Sequence, residues 1–213
     1  MVEPVRHLNT VGSGSYAPED VHFLLQPVQM QVTDVVEKER LIQTRQKHYS
    51  EMISLESAPT AVHQALYERA LAQNGTRMAT DVQSLALALN EACAGACIVL
   101  VSFVRAGLPL GVLLRRALID MGRNTYHYGI SIVRDRGIDT VALEAIIQAH
   151  GAENIVFVDG WTGKGAISAE IKRSLNGDSR FPTDPRLVVL ADPCGRAWLS
   201  ASAEDWVIPS GIL

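Results

Sequence analysis

The hydrophobic positions of this chain change their rhythm about a third of the way along. Up to about residue 75 they are sparse and set among charged and polar side chains. One extended stretch, Val21 to Leu25, precedes helical patterns around Glu37 to Met52 and Ala61 to Ala72. From about Met78 the pattern becomes regular. Val82, Leu85, Ala86 and Leu89 mark one helix face, and Ile98 to Phe103 (IVLVSF) reads as a short buried strand. In LPLGVLLRRALIDMGRN, Pro109 suits a first helical turn, Leu110, Leu113, Leu114, Ala117, Leu118 and Met121 make one apolar stripe, and Gly122 suits the stop. The pattern then predicts a strand at about 126 to 133, a helix from Thr140 to His150, the strand IVFVD, a helix aligning Ile167, Ile171 and Leu175, and a last strand, RLVVLA. Apolar strands alternating with helices predict an α/β fold, a mostly parallel sheet with helices on both faces. Residues 1–75 read as an N-terminal accessory or hood region and residues 76–213 as the core.

Composition limits what such a fold can do. With 213 residues, 47% of them hydrophobic, and a net charge of -4, the chain is expected to be one domain with a small appendage. No segment supplies the roughly 18 to 20 unbroken apolar residues of a membrane span, and the start, MVEPVRHLNT, lacks the blocks of a secretion signal. A cytoplasmic protein with no membrane partner is the expectation. The acidic balance and the lack of a basic stripe argue against a nucleic-acid partner. Cys93, Cys97 and Cys194 form an odd set without CxxC spacing, so they read as reduced and mostly structural.

In an open α/β sheet, ligands sit where the carboxyl ends of the strands lead into helices. Three such loops stand out: SFVRAGLP, RDRGID and DGWTGKGA. In the last, Gly163 and Gly165 let the backbone approach an anion, Thr162 adds a hydroxyl, Lys164 a charge, and Asp159 can accept hydrogen bonds from a sugar diol. The alternative is an ordinary glycine-bearing turn. It is not a Walker A loop, because the spacing is wrong and Gly165 stands where Ser or Thr would bind magnesium. The stretch GSGSYA at 12–17 follows no strand and precedes Pro18, so it is not a dinucleotide fingerprint. Arg105, Ala106 and Gly107, ahead of the Pro109 helix, make a second anion site. The middle loop carries Arg134, Asp135, Arg136 and Gly137, a tip long enough to close over a ligand, or else a solvated surface pair.

The succession SFVRAG, a charged loop and IVFVDGWTGKG resembles the pyrophosphate loop, flexible loop and 5-phosphoribosyl-1-pyrophosphate (PRPP) motif of type I phosphoribosyltransferases. More closely, GSYAPEDVHFLL, RQKHYSEM, VSFVRAGLPLGVLLRRAL, HYGISIVRDRGID and FVDGWTGKGAI resemble the phosphoribosyltransferase-like domain of bacterial tellurium-resistance and stress gene clusters, often labelled cysteine protease StiP. The resemblance runs from about residue 12 to the C-terminus. It implies a type I phosphoribosyltransferase-like fold and a transferase that uses PRPP and Mg²⁺ to pass phosphoribose to an unidentified base-like acceptor, with release of pyrophosphate. It also implies self-association as a homodimer. Relatives continue past this point, so the ending VIPSGIL implies that a further segment follows.

Carried over by position, the ribose-binding acid falls on Asp159, the 5′-phosphate cradle on Thr162, Gly163, Lys164 and Gly165, and the pyrophosphate loop on Arg105, Ala106 and Gly107, where relatives often have a non-proline cis peptide. Arg105, Arg134 and Arg136 would stabilise the charge building on pyrophosphate. One departure stands out: Gly160 and Trp161 follow a single acid where the usual motif has two. It leaves a non-catalytic PRPP or nucleotide sensor as the alternative. Mg²⁺ would arrive mainly on PRPP, with Asp192 a weaker candidate ligand or simply a loop-start capping residue. His48, Tyr49 and Ser50 of the hood, Trp161 and Trp198 are candidates to line the acceptor pocket, each alternatively a packing residue. Peptide hydrolysis is disfavoured, because no histidine can be placed beside a cysteine from sequence.

Overall fold

The structure, a computed structural model, describes residues 11–206; the start MVEPVRHLNT and the ending VIPSGIL lie outside them. In chain order the strands are β1 (His22–Phe23), β2 (Ile98–Phe103), β3 (Thr125–Ile130), β4 (Ile132–Val133), β5 (Gly137–Ile138), β6 (Ile155–Trp161), β7 (Leu187–Ala191) and β8 (Leu199–Ser202). The α-helices are α1 (Val35–Gln43), α2 (Ala61–Ala92), α3 (Leu108–Asp120), α4 (Thr140–His150) and α5 (Ala166–Ser174). One six-stranded sheet has the order β1-β3-β2-β6-β7-β8, every neighbouring pair parallel, and β4 and β5 form a separate antiparallel hairpin.

The central strands are apolar on both faces because both faces are covered. Val99, Val101 and Phe103 of β2 share one core with Phe157 of β6, Val189 of β7, Ile146 of α4 and Ile171 of α5. The intervening Ile98 and Leu100, with Val156, Val158, Val188 and Leu190, share the other with Val82, Leu85 and Leu89 of α2 and Leu110, Leu114 and Leu118 of α3. Successive strand residues point to opposite faces, so a strand sandwiched between two helical layers needs an unbroken apolar run rather than an alternating one. Each fully buried Leu, Ile or Val contributes about 1.5–3 kcal/mol, and the two cores together make the strand positions the fixed frame of the molecule.

Several elements depart from the sequence pattern. The strand expected at 126–133 is broken at Ser131 into β3 and β4, so its last two residues leave the sheet and start the hairpin. The helical pattern at 37–52 resolves into α1, which buries none of its residues, and a 3-10 turn, Tyr49–Glu51. The pattern at 61–72 is the first third of α2, a 32-residue helix that passes without interruption through the expected boundary at residue 75. β1, expected in the accessory region, joins the main sheet beside β3. RLVVLA is not the last strand: β8 follows it, and its sequence LSAS, too short and polar to register as an apolar run, pairs with β7 at the sheet edge.

Two close approaches fix α3 against the sheet. A Cβ at Gly107 would lie 2.2 Å from the Val158 carbonyl oxygen, and one at Gly111 would lie 2.3 Å from both Ser102 Oγ and His127 Nε2. Glycine is required at both for space, so that the helix start can sit directly on β2, β3 and β6. For Gly111→Ala, overpacking of about 1–3 kcal/mol opposes a helix-propensity gain of roughly 1 kcal/mol. The clash is with buried side chains that have no room to retreat, so a lower urea midpoint is expected; an unchanged or raised midpoint would show that α3 can lift off the sheet at no cost.

Candidate functional site

The sheet order contains a reversal. From β2 the chain moves outward through α3 to β3, while β6, on the other side of β2, leads through α5 to β7. The strand ends of β2 and β6 therefore flank a topological switch point, the place where an open parallel sheet leaves a crevice because its outgoing loops diverge. The loop after β2 (104–107) and the turn after β6 (162–165) stand on its two sides, and the Gly107–Val158 approach brings the first against the end of β6.

The β2 loop is short and its backbone turns sharply. The Val104–Arg105 peptide is cis, Gly107 N–H donates to the Phe103 carbonyl at 3.0 Å, and Leu108 N–H to the Arg105 carbonyl at 3.1 Å. Arg105 and Ala106 are exposed, and among the described residues Arg105 makes no ion pair. An exposed, unpaired guanidinium and a helix N-terminus thus occupy the same few ångströms of strand end.

The β6 turn is built on two left-handed glycines, Gly163 (φ 53°) and Gly165 (φ 87°). A side chain at either would strain the backbone, and at Gly163 a Cβ would also lie 2.7 Å from the Trp161 ring. Gly165 N–H closes the turn on the Thr162 carbonyl at 2.8 Å, whereas the N–H groups of Gly163 and Lys164 find no acceptor among the described residues. The Lys164 side chain is exposed and unpaired there as well. Open N–H groups, a helix start and an ammonium form a cradle for an anion such as a phosphate monoester.

Asp159 lies three residues before Thr162, inside β6, 4% exposed, with one carboxylate oxygen accepting Gly160 N–H at 2.8 Å. Burial pushes its carboxyl up to about 6, with the Gly160 hydrogen bond opposing. Near neutral pH it is a carboxylate with little solvation, a strong acceptor for hydroxyl donors.

Two residues expected at the site have other work. The Thr162 hydroxyl is buried and donates to Asp192 at 2.6 Å, so its proton is committed within the protein rather than offered to a phosphate. Asp192 also accepts the backbone N–H groups of Arg196 at 3.0 Å and Ala197 at 2.8 Å, with Cys194 Sγ at 3.6 Å. Burial alone would raise its carboxyl; the Thr162 hydroxyl and the two N–H groups outweigh that and hold it below the usual range. A carboxylate so fully used is a loop organiser rather than a magnesium ligand. Trp161 is 40% exposed; its ring lies over Gly163 and its indole N–H donates to Asp205 at 2.8 Å, so it braces the turn.

The middle loop is a clasped hairpin. Asp135 sits at its tip with φ 67°, and its N–H donates to the carboxylate of Glu170 on α5 at 3.0 Å, while Ile138 N–H donates to Ser174 Oγ at 3.1 Å. On its other side Arg134 N–H donates to the Tyr49 hydroxyl at 3.0 Å and Arg136 pairs with Glu51. His48 caps that 3-10 turn and lies against Tyr49, ring centroids 4.4 Å apart. The structure therefore brings His48 and Tyr49 to the charged hairpin, Arg136 is spoken for by an acid of the hood, and the Arg134 side chain stays exposed.

Sequence reading missed the residues that hold these loops. Glu170 is 5% exposed although it carries a charge, and its place three residues after Ile167, inside the apolar stripe of α5, was the signal. Ser102 and His127 are buried polar side chains within apolar strands, and Asp20 is 4% exposed in a two-bond pair with Arg116. Among the described residues no Cys–His hydrogen bond is present; Cys93 and Cys97 precede β2 at the opposite ends of the strands, where burial raises both of their thiols, and Cys194 follows β7 at the site end, its Sγ 3.6 Å from Asp192.

Comparison with known proteins adds a family. Residues 14–213 match the family described as "Tellurite-like stress resistance cysteine protease StiP". A protein of Acinetobacter baylyi named "Cysteine protease StiP" is 60% identical over 206 residues, which cover 94% of this chain and 52% of that protein. The chain thus spans about half the length of the curated relative it matches. Solved structures with some likeness include a hypoxanthine phosphoribosyltransferase from Trypanosoma cruzi in complex with the product IMP (14% identity, 59% of this chain, 70% of that one, TM-score 0.43) and a hypothetical protein from Neisseria gonorrhoeae with bound ppGpp (17%, 62%, 81%, 0.42).

The buried acid makes a pH prediction. A carboxyl whose folded value is raised stabilises the fold when protonated, so that contribution is present below about 4 and is lost as pH rises through about 6. The expected size is at most about 3 kcal/mol. Urea denaturation of the wild type and Asp159→Asn should show the wild type losing stability relative to the variant between pH 4 and 6.5; parallel curves would mean Asp159 is ionised without cost.

Proposed function

The chain belongs to the StiP family, and from its strand-end geometry we propose that this part of the protein is a phosphoribosyltransferase that uses PRPP and releases pyrophosphate. The observation that carries the reading is the pairing, across one switch point, of two anion sites of different kinds with a buried carboxylate between them in the chain. A ligand with a phosphate at one end, a diol in the middle and a pyrophosphate at the other matches that sequence of chemistries. The Gly163–Lys164–Gly165 turn takes the 5-phosphate, Asp159 accepts from the ribose hydroxyls, and the Arg105–Gly107 loop takes the pyrophosphate.

The chemistry is a displacement at the anomeric carbon. A ring nitrogen of the acceptor forms the new C–N bond, the C–O bond to pyrophosphate breaks with its electron pair leaving on oxygen, and the acceptor's N–H proton passes to solvent. Arg105 and the open N–H groups of its loop stabilise the leaving charge. Arg134 and Arg136 join them when the hairpin swings from the hood, which also removes water from the cation-like sugar. With Asp192 saturated by protein donors, Asp159 is the residue of the described site that could hold Mg²⁺, and a Mg²⁺ carried mainly on the substrate's phosphate oxygens would supply charge neutralisation there. Tyr49 and His48, beside the hairpin, are placed to meet a base-like acceptor. Cys93 and Cys97 at the opposite strand ends, and a Cys194 with no histidine hydrogen bond among the described residues, favour group transfer over peptide hydrolysis. Gly160, in place of a second acid, favours one other reading, a PRPP sensor without turnover. A cytoplasmic location and a homodimer belong to the same proposal.

Titration calorimetry of PRPP with Mg²⁺ tests binding. Lys164→Ala and Asp159→Asn are each expected to weaken it about tenfold or more, the worth of a charge-assisted hydrogen bond; unaltered affinity in both would remove the sugar phosphate from this turn. Pyrophosphate release with candidate bases tests turnover. Arg136→Ala should slow release while leaving PRPP affinity within about threefold, since Arg136 is held by Glu51 in the open form; tight binding with no release under any base would favour the sensor.

A further inference from the structure

The core between α3 and the sheet is apolar except at one spot. Ser102, fully buried, and His127, 4% exposed, face each other there with Ser102 Oγ 2.7 Å from His127 Nε2. The same Oγ lies 3.0 Å from the Gly107 carbonyl oxygen, and His127 Nδ1 lies 2.8 Å from the Asp20 carbonyl oxygen. A carbonyl only accepts, so Nδ1 carries a proton and donates to Asp20. Asp20 is itself fixed by the two bonds from Arg116. A continuous chain therefore runs Arg116, Asp20, His127, Ser102, Gly107. It begins on α3 at Arg116, passes through the segment before β1 at Asp20, and ends on the carbonyl that opens α3, within the β2 loop.

Space makes the chain rigid. Gly111 stands directly over the pair, where a Cβ would lie 2.3 Å from both, and Gly107 stands against Val158, so neither the helix start nor the loop can shift without breaking a bond or a contact. Gly107 O already accepts Gly111 N–H at 2.9 Å as an ordinary helix carbonyl. The added bond from Ser102 is therefore not needed to satisfy it, and its effect is to pin the carbonyl's direction. Peptide planarity couples that direction to the Leu108 N–H, which donates to the Arg105 carbonyl at 3.1 Å, and that carbonyl is in turn coplanar with the Ala106 N–H.

We propose that Ser102 and His127 are positioning residues for the anion-binding loop, seating the Gly107 carbonyl and, through the Leu108 N–H bond to the Arg105 carbonyl, aiming the Ala106 N–H at a pyrophosphate. The naming of that anion rests on the phosphoribosyl reading above. His127 acts through Ser102 and touches no ligand. Burial holds its ring down to about 4, so it is neutral near pH 7, and Nε2 is then an acceptor that orients the Ser102 hydroxyl. The segment containing Asp20 thereby reaches the loop from the far side of β3.

The test separates the two ends of the site. Magnesium pyrophosphate and ribose 5-phosphate are titrated calorimetrically into the wild type, Ser102→Ala and His127→Asn, with thermal melting to confirm folding. Pyrophosphate affinity should fall about tenfold in both variants while ribose 5-phosphate affinity stays within twofold, since the Gly163–Gly165 turn is built on another strand. Affinities that fall together, or a pyrophosphate affinity that does not move, would overturn the positioning role. Amide hydrogen exchange of the ligand-free proteins gives a second readout: faster exchange confined to residues 104–108 is expected, and unchanged exchange there would overturn it even if pyrophosphate affinity falls. Wild type that binds neither anion would sink the phosphoribosyl reading instead, and the exchange result alone would then decide whether the chain positions the loop.

Discussion

The sealing of both faces of the central sheet is the constraint on which everything else rests. β2, β6 and β7 have nearly every side chain buried in one of two cores, so the interior of the sheet has almost no place for a polar group that reaches solvent. Charge and hydrogen-bonding capacity are displaced to the strand ends, and the direction of all six strands puts the outgoing ends together. The reversal of order between β2 and β6 then selects one crevice among those ends. The location of the site is thus a result of packing before it is a result of chemistry.

The site itself divides into ligand-facing groups and the groups that hold them. Arg105, Lys164 and the N–H groups of Gly163 and Lys164 face outward unpaired, whereas Thr162, Asp192, Trp161 and Glu170 spend their polar atoms on the protein. Asp159 falls between the classes, buried like a structural residue yet at the mouth like a functional one. Its cost to the fold when ionised is what an acid kept free for another partner must impose.

The division explains how much could be read from the chain alone. Long apolar runs and the glycine-rich turn are local signals, so β2, β3, β6, β7, α3 and α4 and the two strand-end loops between them and their helices were legible in the sequence. β8 was not, because an edge strand of LSAS owes its existence to β7 beside it. The Thr162–Asp192 bond was not legible for a related reason: which partner takes a hydroxyl proton depends on residues 30 positions apart meeting at neighbouring strand ends. The Arg136–Glu51 pair and the Arg134–Tyr49 bond span 85 positions and leave no local trace. The accessory layer was visible as a change of composition, but α2 shows that a change of composition need not be a break in the chain's structure.

α2 itself has a mechanical meaning. Its last four turns are bolted to α3 and β8, while its first half, with Val62, Leu66 and Leu71 exposed, stands clear of the cores. At about 1.5 Å per residue the helix is about 48 Å long. Arg77, near its midpoint, pairs with Glu204 and lies over Trp206, and among the described residues the support ends there. A stiff rod clamped along only one half is a cantilever: a small tilt at the clamp becomes a sweep of several ångströms at the free tip, and a load on the tip is felt as torque at the edge of the sheet.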